Sequence, residues 1–211
     1  MHIPDGFLGA KTWIGLSVIS GGLLLLALKR FKTFDLEHRV PLIGVTAAFV
    51  FAAQMINFPV AGGTSGHFMG AVLACMLVGP WTGFIVMSMV LIVQCLIFQD
   101  GGLTALGANI FNMGLMGSVG GFYIYFFFRL LLWGDRTRPV AYALASWCSL
   151  MLAAGFCALE LAVSGTVGLS VGLPAMLGVH AVIGIGEAAI TTAALMAIWR
   201  TRPEIMNMRK Y

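Results

Sequence analysis

Seven apolar runs alternate with short polar breaks along the chain, over residues 13–28, 40–58, 68–78, 81–98, 103–132, 140–163 and 173–199. A hydrocarbon layer about 30 Å thick needs about 20 mostly apolar helical residues to cross it, so the pattern predicts repeated helical crossings and leaves almost no chain for a soluble domain. The expected fold is an all-α membrane protein with seven transmembrane helices: residues 1–12 form an N-terminal head, 13–200 one transmembrane bundle and 201–211 a tail. The third run is short, and Gly79-Pro80 divides it from the fourth; proline lacks a helix donor, and glycine beside it favours a turn. The GGTSG stretch ending at Gly66 is expected partly at membrane depth, where irregular backbone survives only against protein or a water-lined cavity.

Composition sharpens the class. Hydrophobic residues make up 60% of the 211 and charged residues 9%, and residues 40–99 hold no Asp, Glu, Lys or Arg. The head shows neither a basic region ahead of an apolar core nor a small-residue cleavage site, so removal of a leader is not expected. Basic residues then set orientation, because loops rich in Lys and Arg stay cytoplasmic. Lys29, Arg30, Lys32 and Arg39 follow the first run, Arg129, Arg136 and Arg138 follow the fifth, and Arg200, Arg202, Arg209 and Lys210 form the tail; only Lys11 falls elsewhere. An odd number of crossings with the C-terminus inside puts the N-terminus outside. The net charge of +4 therefore reports topology and calls for no nucleic-acid partner.

That orientation sorts the histidines. His2 lies in the outer head, His67 at the outer start of the third run, His180 in the outer half of the seventh, and His38 in a cytoplasmic basic loop. The Met1 amine, the His2 backbone nitrogen and the His2 imidazole are covalently spaced to close small rings around one ion. His67, in a glycine-rich segment that permits close backbone approach, is the available fourth nitrogen. Planar nitrogen coordination suits Ni2+ or Cu2+, whereas thiolates point to zinc and an all-oxygen cage to magnesium or calcium, so nickel and its neighbour cobalt lead. Pro4 fixes its own φ and pushes Ile3 toward an extended conformation, and Asp5-Gly6 supplies a turn; the head reads as a stiff hook. His180 and Glu187 share a helix face and read as a buried structural pair, with Glu187 kept as a candidate functional group within the membrane. Cys75, Cys95, Cys148 and Cys157 lack a CxxC spacing and read as packing, as do most of the 13 methionines, whose spread weakens a copper-pump reading. Ala48 with Ala52, and Gly117 with Gly121, make small-residue faces suited to close helix contact.

The opening MHIPDGFL, the segment NFPVAGGTSGHFMG at residues 57–70, and seven runs of this size resemble the substrate-capture subunits of energy-coupling-factor nickel and cobalt transporters, the NikM/CbiM family. The resemblance covers essentially the whole chain. It implies one helix added before a six-helix core, and metal binding by the Met1 amine, the His2 backbone and imidazole nitrogens, and the His67 imidazole. It also places Ala48 and Ala52 on the core's first helix, at the face relatives turn toward a transmembrane coupling subunit. Ni2+ or Co2+ is the implied transported substrate; the implied partners are that coupling subunit, ATPase subunits, a small accessory membrane subunit and the lipid bilayer of the cell membrane. The chain has no GxxxxGK[ST] phosphate loop, so nucleotide hydrolysis is expected on separate subunits and no catalytic residue is expected here. Two rival readings stand beside this one: a secondary metal-ion transporter using Glu187, and an intramembrane metallohydrolase, for which neither HExxH nor an obvious base is present.

Overall fold

The computed structural model describes residues 1–31, 40–60 and 64–206; the expectations placed on Lys32, His38, Arg39, Arg209, Lys210 and the first glycines of GGTSG fall outside the described residues. The elements are α1 (Ala10–Phe31), α2 (Val40–Gln54), β1 (Asn57–Val60), β2 (Thr64–His67), α3 (Ala71–Val78), α4 (Pro80–Phe98), α5 (Leu106–Leu131), α6 (Arg138–Val163) and α7 (Leu169–Thr201). Among the described residues, five of these helices (α1, α4, α5, α6 and α7) are long and apolar enough to cross a membrane. With 15 and 8 residues, α2 and α3 reach only about 22 Å and 12 Å at 1.5 Å per residue.

The structure is mostly helical as expected, with one local departure between these two short helices. The second apolar run was expected to stay helical to residue 58, but the helix ends at Gln54 and the chain forms an antiparallel hairpin pairing Asn57 with His67 and Val60 with Thr64. Pro59 accounts for this locally, since it offers no N–H to a helix. The third helix accordingly starts at Ala71, after the hairpin, and stops where Gly79-Pro80 breaks it from α4.

Every residue of α3 is buried, and α4, α5, α6 and α7 pack around it. Within α5 the turns widen to a π-helix over Ile110–Gly120, where small residues let α3 and α4 press in. Peripheral α1 buries only Ser20 and Ala27, and the Ser20 hydroxyl donates to the Gly107 carbonyl at 2.7 Å. Leu96, Ile97, Leu130, Val182 and Ile185 are exposed on the helix surfaces, as hydrocarbon solvent allows.

The two ends of the bundle differ. Arg30, at the end of α1, stacks 4.6 Å over Trp81 at the start of α4, and Arg138 at the start of α6 stacks 5.0 Å over Trp199 near the end of α7. The N-terminal head sits at the opposite end of α4, beside Gln94 and Asp100.

Candidate metal centre

Residues 1–3 enter the bundle instead of lying on it: Met1 and Ile3 are fully buried and His2 is 4% exposed. The Ile3 N–H donates to Asn109 Oδ1 at 2.8 Å, while its carbonyl accepts from Asn109 Nδ2 at 3.2 Å and from the Gly102 N–H at 2.8 Å. These bonds satisfy backbone groups that burial would otherwise strand. The Asp5 carboxylate then locks the head to the loop after α4, accepting the N–H groups of Leu103 at 3.0 Å and Thr104 at 2.7 Å together with the Thr104 hydroxyl. The Thr104 hydroxyl leads the contacts that hold the Asp5 carboxyl below its usual 3.8. The head passes so close to the loop that a Cβ on Gly102 would lie 2.2 Å from the Asp5 nitrogen, and Gly101 beside it takes a φ of +92°.

Inside this lock the nitrogen donors converge. The Met1 amine donates to the Ser65 carbonyl and, at 3.1 Å, to Ser65 Oγ, which also accepts the His2 N–H at 3.3 Å. His2 Nε2 is 3.2 Å from Gln94 Oε1. Its Nδ1 lies 3.0 Å from Asp100 Oδ1, within ion-pair range but too poorly aligned to count as a hydrogen bond. Asp100 Oδ2 in turn accepts from Asn57 Nδ2 at 3.1 Å. His67 Nδ1 donates to the Phe68 carbonyl at 2.8 Å, and its Nε2 is buried with no hydrogen-bond partner among the described residues. The two imidazoles stack with centroids 4.6 Å apart and planes 15° apart.

These contacts select ring nitrogens. A hydrogen bond from one imidazole nitrogen leaves the lone pair on the other, so Gln94 frees His2 Nδ1 and Phe68 frees His67 Nε2. His2 Nδ1 is also the nitrogen that closes a small ring with the backbone amide, and the Met1 amine closes a second. Among the described residues no three His, Cys, Asp or Glu side chains form a side-chain cage.

Burial also sets protonation. It lowers the Met1 amine from 8.0 to about 5, against the opposing influence of Cys157 and Asp100. The His67 imidazole falls well below 6.5, by burial first and then by the nearby amine and His2. His2 is lowered as well, by burial, with Asp100 pulling it back up. Burial raises the Asp100 carboxyl, but His2 and Asn57 outweigh it and leave the group below 3.8. The amine and the His67 imidazole thus carry free lone pairs at neutral pH.

The remaining candidates sort around this centre. His180 is fully buried, bonds through Nδ1 to the Met176 carbonyl at 2.7 Å, and lies near enough to influence His67 electrostatically. Glu187 accepts the Met69 N–H at 2.6 Å and the Gly70 N–H at 2.8 Å, holding the turn that leads from His67 into α3. The expected His180–Glu187 pair is therefore corrected: each has its own backbone partner. Ala48 and Ala52 are exposed on α2, whose buried face is Thr46, Val50 and Gln54. Gly117 and Gly121 pack within the chain, against Met69 and Ala71 and against Val72 and Ser149. Sequence reasoning missed the supporting residues Ser65, Gln94, Asp100 and Asn109. Gln94 and Asn109 were visible as amides inside apolar runs, and Asp100 as the charge that ends the uncharged stretch.

A multi-helix body with hydrocarbon-suited surfaces and a buried cluster of nitrogen donors at one end defines a multi-pass cell-membrane protein of the metal-transport class. The chain belongs to the CbiM family, the cobalt uptake substrate-specific transmembrane region, which matches residues 2–205. It is 39% identical over 212 residues to a protein of Archaeoglobus fulgidus provisionally named fused nickel transport protein NikMN, covering 99% of this chain and 69% of that one. It is 32% identical over 225 residues to the fused nickel transport protein NikMN of Rhodobacter capsulatus, covering 100% of this chain and 65% of that one. A crystal structure of a truncated transition metal transporter superposes with a TM-score of 0.88 at 33% identity, covering 95% of this chain and 99% of that one.

Proposed function

We propose that this chain captures Ni2+ or Co2+ from the extracytoplasmic side as the substrate-binding subunit of an ATP-driven importer, with the coupling and ATPase functions on separate subunits. The ligands are the Met1 amine, the His2 backbone nitrogen, His2 Nδ1 and His67 Nε2. The observation that carries the reading is the sealed group itself: a buried amine, and a buried His67 Nε2 without a hydrogen-bond partner among the described residues, against a stacked His2 ring. Polar atoms are seldom buried unpaired without a functional reason.

Sidedness rests on the two ends of α4. Its 19 residues span about 28 Å, with Arg30 at one end and the head at the other. Basic residues favour the cytoplasmic side, so the head faces outward and the C-terminus inward. In this reading α2 and α3, joined through the hairpin, complete seven membrane helices, one of them added before a six-helix core. The exposed Ala48–Ala52 face of α2 contacts the transmembrane coupling subunit, and a small accessory membrane subunit completes the complex.

Calorimetric titration of the detergent-solubilised protein with Ni2+ tests the site: one tight site is expected, sharply weakened in His67→Ala. Equal affinity in the two proteins would overturn the ligand set. Ala48→Leu/Ala52→Leu should keep nickel binding and lose co-purification with the coupling subunit.

A further inference from the structure

The proposed ligands are closed off from solvent. Met1 and His67 are fully buried and the His2 side chain is 3% exposed, whereas the Asp100 side chain, 3.0 Å from His2 Nδ1, is 21% exposed. Among the described residues, Asp100 is therefore a charged group that touches both the claw and the water outside it. Its two oxygens are divided: Asn57 Nδ2 on β1 holds Oδ2 at 3.1 Å, and Oδ1 faces the ring nitrogen required for chelation. Nδ1 makes no aligned hydrogen bond there, so a ring nitrogen and a carboxylate oxygen stand 3.0 Å apart, a separation at which both can reach one ion. A cation satisfies both.

Building on the capture reading above, the geometry points to Asp100 as the loading ligand, the carboxylate that first takes the hydrated divalent cation and passes it to His2 Nδ1. One carboxylate oxygen displaces one water from the ion, and Nδ1 then displaces the carboxylate or a second water. The amine, the amide and His67 close the set as the amide proton leaves to solvent. Oxygen suits the first step because a hydrated ion exchanges water for carboxylate without the amide deprotonation that the nitrogen set requires. The role is kinetic: Asp100 sets how fast metal enters and leaves the final nitrogen set unchanged.

Stopped-flow mixing of Ni2+ with the untagged protein, followed by the absorbance of the nickel complex, tests this on wild type, Asp100→Asn and Asp100→Glu, with chelator challenge for the off-rate. Asp100→Asn should slow association and dissociation alike, each at least about tenfold, and leave the equilibrium affinity within about threefold, because a ligand absent from the final set lowers the barrier equally in both directions; Asp100→Glu should recover most of both rates. The deficit should persist at about 0.5 M salt, where long-range steering is screened and direct ligation is not. Unchanged association, a deficit confined to one of the two directions, or one that vanishes in salt would each overturn the assignment. Asp100→Ser provides the same comparison if Asp100→Asn does not fold. The capture reading fails separately: wild type and His67→Ala would then bind nickel alike, whatever Asp100 does.

Discussion

Replacing Glu187 by glutamine tests how the His67 segment is held. The buried carboxylate accepts the Met69 N–H at 2.6 Å and the Gly70 N–H at 2.8 Å, where β2 hands the chain to α3. Glutamine has nearly the same shape but one acceptor oxygen, and its amide NH2 would face the second N–H. Hydrogen bonds to a charged group contribute about 1.5–3 kcal/mol each and a stranded buried donor costs about 1–3 kcal/mol, so the junction loses about 2–4 kcal/mol. At about 1.4 kcal/mol per tenfold, a loss falling wholly on the binding-competent arrangement weakens nickel affinity by about 30-fold to several hundredfold. If part of the loss falls on the fold as a whole, affinity drops less and the melting temperature drops more. Nickel calorimetry and thermal unfolding of the metal-free protein separate the two shares. His180→Ala is the contrast, since that ring bonds within its own helix, and near-normal nickel binding is expected. Unchanged affinity together with unchanged melting in Glu187→Gln would refute the claim that this carboxylate organises the junction.

An extra residue ahead of Met1 should abolish tight nickel binding, because it removes the amine and must find space where Met1 is fully buried; a tag after Tyr211 should not. Calorimetry on both proteins checks it. Between pH 7.5 and 6.5 affinity should fall only about tenfold, since the amine, lowered to about 5, and the lowered imidazoles compete little and the amide supplies the one proton released. A hundredfold fall would mean that the amine titrates near its ordinary 8.0. The same amine binds a proton in the unfolded chain below 8.0 but in the folded one only below about 5, so the metal-free protein should lose stability as pH falls through that window. Gly102→Ala puts a Cβ 2.2 Å from the Asp5 nitrogen and should displace the head, weakening nickel binding by about five- to a hundredfold with helical circular dichroism unchanged.

Much of this architecture is written in apolar periodicity, and the breaks follow identifiable chemistry. Gly79-Pro80 divides α3 from α4 where the sequence places the break. The pairing of residues 57–60 with 64–67 was hidden because Phe58 and Val60 extend the apolar run, and only Pro59 marks the change of backbone. The head was legible because its donors are adjacent in sequence, so covalent spacing alone brings three nitrogens together. Its supports were not, since Ser65, Gln94, Asp100 and Asn109 approach His2 and Ile3 only through the packing of β2, α4 and α5. Glu187 shows the same limit: its spacing from His180 suggests a pair along one face, but the fold offers it two backbone N–H groups at the start of α3.

The nature of the nickel site is the deciding property. A backbone amide becomes a good ligand only on losing its proton, and a metal that gains strongly from a planar nitrogen field, as Ni2+ does and tetrahedral-seeking Zn2+ does not, can drive that loss near neutral pH. Absorption and magnetic measurements on the nickel-loaded, untagged protein address it directly. Binding by the Met1 amine, the His2 amide, His2 Nδ1 and His67 Nε2 predicts a yellow-orange, diamagnetic complex that zinc displaces poorly even in excess. A paramagnetic, six-coordinate nickel centre would contradict it.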